Sequence, residues 1–108
     1  MTPATPEALE RFRARFQANQ DARMEREYPT LDHTGPQYTV EVIPGPKYAK
    51  VNAGRGSGRY MVVNATGEIF GIKGYGVIHR GHPYGTLDTV DAFDWGGYRA
   101  VRREPVSA

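Results

Sequence analysis

Tyr75 stands between two glycines, with Lys73 just upstream and Arg80 a short way downstream. A ring that neighbouring side chains do not crowd, set beside cations, is equipment for stacking a nucleobase while ammonium and guanidinium groups meet phosphates. The surrounding stretch, GIKGYGVIHRGHPY over residues 71–84, holds four glycines, two tyrosines, two histidines and two cations, and no carboxylate. The same composition also describes a loop that uses glycine to bend. The pattern reaches upstream, however. Residues 47–82 carry six cations, Lys47, Lys50, Arg55, Arg59, Lys73 and Arg80, against Glu68 alone. Tyr48, Tyr60 and Phe70 interleave with them, and Tyr84 follows. The whole chain has a net charge of only +2, so this local field is what would steer a polyanion. Tyr48, Tyr60 and Phe70 serve a hydrophobic core equally well, and scattered cations also keep strand edges from pairing.

Other chemistries are thinly supplied. With no cysteine there is neither a disulfide nor a thiolate zinc site. His79-x-x-His82 has the spacing of two metal ligands that His33 or an aspartate would complete, but Gly81 and Pro83 oppose a regular helix there, and histidines on a surface turn are the simpler expectation. The sequence calls for no cofactor. No nucleophile is presented with a base, Gly54–Gly58 lacks the strand-to-helix setting of a phosphate loop, and Glu41 and Glu68 are isolated strand carboxylates, so a non-enzyme is expected. Of the aspartates at 88, 91 and 94, Asp88 suits a first helical turn, and Asp94 is expected to pair with Arg99 or Arg102. Trp95 beside Gly96-Gly97 reads as a core cap whose indole N–H meets a loop carbonyl; exposed, it would join Tyr98 as an anchor for a protein partner.

These groups need a scaffold, and 108 residues supply one domain: a helix and linker over 1–37, then a compact sheet-based unit over 38–108. Thirteen glycines and eight prolines predict many turns and a modest core. Thr5-Pro6-Glu7 is a helix start, and Leu9, Phe12 and Phe16 share one face of an amphipathic helix ending before Tyr28-Pro29. The stripe weakens at Gln20, so docking by the first half is expected. Alternation predicts strands over 38–43, 47–52, 59–64 and 68–73, the last two joined by a tight turn with Gly67 left-handed. A short helix from Leu87 to Trp95, capped by Thr86, precedes a last strand over 98–103. The expected class is α+β with a small, mostly antiparallel sheet of four or five strands. No apolar run reaches the roughly eighteen residues of a membrane helix, and no secretory leader is visible, so a soluble chain is expected.

Two resemblances bear on this. Lys73-Gly74-Tyr75-Gly76 resembles the start of the aromatic strand motif of RNA-recognition domains. Val77 and Arg80 stand where that motif has further rings, and residues 44–59 are too rich in proline and glycine for the helix that fold needs between its central strands. Its stacking chemistry carries over; its fold does not. Across residues 58–98, GRYMVVNATGEIFGIKGYGVIHRGHPYGTLDTVDAFDWGGY resembles small uncharacterised proteins of tailed actinobacteriophages, most specifically in Tyr84-Gly85-Thr86-Leu87-Asp88-Thr89. That resemblance implies a phage accessory protein acting in the bacterial host cytoplasm and brings no catalytic residue. The expected function is nucleic-acid binding, single-stranded or structured, through Lys73, Tyr75 and Arg80 with Arg55, Arg59, Lys47 and Lys50. The alternatives are a module that binds a host protein and a minor virion component.

Overall fold

The computed structural model describes residues 3–30, 35, 38–54, 58–96 and 100–102. Of the residues singled out above, His33, Arg55, Tyr98 and Arg99 lie outside the described residues. Helix α1, Pro6–Glu27, begins with Thr5 Oγ1 accepting the Ala8 N–H at 3.1 Å and proline in the first turn. Its apolar stripe is narrow: Ala8, Phe12 and Phe16 are buried. Beyond Phe16 the contacts turn polar. The Gln17 and Gln20 amides both donate to the Tyr38 carbonyl, at 3.0 and 2.9 Å, and Gln17 Oε1 accepts the Val40 N–H at 2.7 Å. Asn19 Oδ1 accepts the Trp95 N–H at 3.0 Å, and the Arg23 guanidinium donates to the Gly96 carbonyl at 3.0 Å. The second half of the helix therefore docks by hydrogen bonding to backbone that no ladder satisfies.

The helix covers one face of a five-stranded antiparallel meander, β1 (Val40–Ile43), β2 (Tyr48–Ala53), β3 (Gly58–Val63), β4 (Glu68–Gly74) and β5 (Val77–Thr86), ordered in space as in sequence. The β3–β4 hairpin turns at Gly67, with φ +73° and its N–H on the Val63 carbonyl at 2.7 Å. The fifth strand differs from the expectation. It is not the segment after Trp95 but the glycine-rich one, which folds back on β4 through a Tyr75-Gly76 turn with Gly76 at φ +78°. Its pairing with β4 shifts register three times, and broken ladders of this kind admit glycine and an edge proline where a regular strand would not. Val101–Arg102 (β7) pairs instead with Phe93–Asp94 (β6) in a separate two-stranded ribbon.

Between β5 and β6, residues Leu87–Ala92 form a 3-10 helix in place of the longer helix expected to Trp95. Thr86 and Thr89 cap each other, and Thr89 leaves helical backbone at φ −113°, ψ 15°, so the helix kinks there. Asp94 Oδ1 accepts the Gly96 N–H at 2.9 Å, a local turn bond; of the arginines expected to pair with it, Arg99 lies outside the described residues, as does the Arg102 side chain. Asp91 lies 3.0 Å from Arg15 Nε on the helix, close enough for charge attraction though off the line of an N–H hydrogen bond.

The core lies between helix and sheet. Phe12, Phe16, Tyr60 and Trp95 form an aromatic cluster, with the Phe12 and Trp95 centroids 4.6 Å apart edge to face and Tyr60 set 5.1 Å from Trp95. Trp95 is 0% exposed and its indole donates to the Val90 carbonyl at 2.9 Å. The core-cap role is what the fold uses; full burial removes Trp95 as an exposed anchor for a partner.

Tyr60 adds a pH dependence. Burial pushes its phenol from 10.0 up to about 12, opposed by the Ala100 N–H that its oxygen accepts at 2.9 Å. The unfolded chain releases this proton first, so the contribution is complete below about pH 10 and is lost as pH rises through about 12. The loss should reach about 2–3 kcal/mol. Urea unfolding followed from about pH 9 to about pH 12 should show a steeper decline for the native chain than for Tyr60→Phe. Parallel declines would refute the assignment.

Candidate nucleic-acid interface

The face of the sheet turned away from α1 is built by strand alternation. On β2, Ala49, Val51 and Ala53 enter the core, which sends Tyr48, Lys50 and Asn52 to the opposite side. Cross-strand partners share a face. Lys50 is flanked by Ile43 and Met61, Asn52 by Glu41, and Met61 by Phe70. Met61 and Phe70 are buried yet stand outside the cluster that packs on the helix. This second face therefore has an apolar floor of its own.

Cations and rings close over that floor. The Arg80 guanidinium lies 5.4 Å from the Phe70 ring centre, and its Nη2 donates to the Tyr48 hydroxyl at 3.1 Å. Lys50 Nζ sits 5.0 Å from the Tyr75 ring centre, and Lys47 Nζ lies 5.8 Å from that of Tyr48. Tyr75 is 51% exposed although its hydroxyl accepts a hydrogen bond from Asn52 Nδ2 at 3.3 Å. The β4–β5 turn curls across the sheet to make this contact, and Gly58 makes room for it. A Cβ on Gly58 would come within 2.9 Å of Tyr75 Cδ1 and of Ile72 Cδ1. Beside Lys50 an open groove of about 380 Å³ runs along Pro44, Pro46, Lys47, Tyr48 and Gly76. Among the described residues Lys47, Lys50 and Arg80 form no ion pair, so their charge faces solvent.

Comparison of the chain with family models, with curated proteins and with solved structures finds no match. What the face can do rests on its own chemistry: a half-exposed ring, three cations and an open groove.

Of the residues expected here, Lys47, Lys50, Tyr75 and Arg80 come together. Lys73 is the extra residue where the β4–β5 register shifts between Ile72 and Gly74, exposed near the hairpin tip, so strand alternation assigns it to neither face. Arg59 is the extra residue where the β2–β3 register shifts, half-buried between Gly58 and Tyr60. Tyr84 turns to the core, 5.1 Å from Tyr60. His79 and His82 bring their rings to 4.3 Å, perpendicular, and His79 Nδ1 accepts the Gly81 N–H at 3.2 Å. No cluster of three metal-binding side chains occurs among the described residues. Sequence reasoning missed Glu41 and Asn52, joined by a 3.1 Å hydrogen bond. Only the strand register reveals them as a pair.

Proposed function

We propose that the chain is a non-enzymatic module that binds nucleic acid on this open sheet face. Tyr75 stacks an unpaired base, and Lys47, Lys50 and Arg80 meet the phosphates on either side. The observation that carries the reading is Lys50 and Arg80 lying on one sheet face with a half-exposed Tyr75, all free of ion pairs among the described residues. A flat aromatic platform with flanking cations suits single strands or unpaired loops better than a duplex groove.

Titration of a labelled single strand at two salt concentrations tests this. Three phosphate contacts give a logarithmic salt slope near −2, so affinity should fall about fifteenfold for a fourfold rise in salt. Absence of binding at low salt would remove the reading.

A second reading, a module that binds a host bacterial protein, draws on exposed Ile43 and Val77 at the two edge strands, 40% and 52% accessible, where an added strand could pair. Pulldown from host lysate with and without nuclease separates the two. A partner retained after nuclease treatment favours the protein reading. The proposed setting, a phage accessory protein in a bacterial host, rests on the resemblance over residues 58–98 alone, and a place in the virion would be read by mass spectrometry of purified particles. No helix among the described residues is long and apolar enough to cross a membrane.

A further inference from the structure

Asn52 is the one polar side chain in the buried class among the described residues, 1% exposed, and it lies on the interface face rather than in the helix-side core. Its amide nitrogen donates to Glu41 Oε1 and to the Tyr75 hydroxyl, at 3.1 and 3.3 Å. Its oxygen is enclosed and accepts nothing. A buried acceptor without a donor is costly. The ring that meets the other atom of this amide, Tyr75, is a cover of modest grip. Tyr75 belongs to a tight turn, rests on the bare backbone of Gly58, and is held by one 3.3 Å hydroxyl contact and the Lys50 ammonium beside its ring, while half its surface faces water.

Resting on the nucleic-acid reading above, we propose that Glu41 and Asn52 form a base-reading subsite beneath Tyr75, and that a base with two adjacent N–H donors, guanine above all, enters it as the tyrosine swings aside. The selectivity follows from the groups present. A carboxylate only accepts, and the unmet atom of Asn52 also accepts. The guanine edge offers a ring N–H beside an amino group and can satisfy both. Adenine and cytosine set one amino group beside a ring acceptor, and thymine flanks its single N–H with carbonyls that Glu41 repels. The displaced phenol ring then stacks on the bound base. Glu41 also explains itself in this way: a carboxylate on a phosphate-binding face weakens backbone contact, so its place there favours a base edge.

Labelled oligothymidylates of about eight nucleotides, carrying one central guanine, inosine or adenine, are titrated at low salt. The guanine strand should bind about tenfold tighter than the adenine strand, with inosine, which lacks the amino group, between them. Glu41→Gln is an exposed change that spares the fold; it should flatten this preference while raising affinity for the adenine strand. Asn52→Ala should flatten it without that rise. Equal binding of the three strands by the native chain, or a guanine preference that survives Glu41→Gln, overturns the subsite and leaves the nucleic-acid reading standing. No binding to any strand overturns both.

Discussion

Phe12→Ala should lower the free energy of unfolding by about 3–5 kcal/mol. Phe12 is 0% exposed and touches the three other rings of the core cluster, Phe16, Tyr60 and Trp95. The cavity cannot close easily. Its walls are large planar groups held by hydrogen bonds to backbone, the indole to Val90 and the Tyr60 oxygen to Ala100. A domain of this size is stable by about 5–15 kcal/mol, so at least about a fifth of the margin would go. Urea unfolding read by fluorescence suits the measurement, because Trp95 is the only tryptophan and is buried beside the substituted ring. Leu9→Ala, half-buried on the same helix, should cost clearly less. A Phe12→Ala loss under about 1 kcal/mol would mean that α1 is not docked as described.

The second large effect is functional. Tyr75→Ala should weaken binding of a single strand by about 1–3 kcal/mol, from fivefold to over a hundredfold, by removing the stacking ring. The residue sits at an exposed turn outside the helix-side core, so stability should hardly change. Tyr75→Phe keeps the ring face and should retain most of the affinity. Lys50→Ala and Arg80→Ala should each reduce the magnitude of the salt slope by about 0.7. Unchanged affinity in Tyr75→Ala would move the site elsewhere on the molecule.

Where sequence and structure agree, one local rule governs the element. Thr5-Pro6-Glu7 starts the helix by capping, Gly67 turns the central hairpin by its left-handed backbone, and Trp95 sits in the core with its indole on a loop carbonyl. β5 was hidden because its signals conflict. Gly81 and Pro83 argue against a strand, and three register shifts erase the alternation by which a strand is recognised. Such a segment is stabilised by its partner, which a single-chain pattern does not contain. Pairing also decided the binding face. Lys73, Tyr75 and Arg80 are close in sequence, yet Tyr75 and Arg80 reach this face through the turn and the pairing of β5, while Lys73 falls in a bulge. Lys50 enters from a strand two places away, carried by a curl in the hairpin that composition does not encode. The Glu41–Asn52 pair was invisible for the same reason: eleven residues apart, they become neighbours only in register.

Asn19 and Arg23 grip Trp95 and Gly96, which follow them by 76 and 73 positions. At about 5–20 residues per second, a ribosome delivers those partners roughly 4–15 s after the helix has been made. During that wait Phe12 and Phe16 have no indole to pack against. The newborn chain therefore offers an uncovered aromatic stripe to chaperones, and maturation completes only after the ring at position 95 has cleared the exit tunnel.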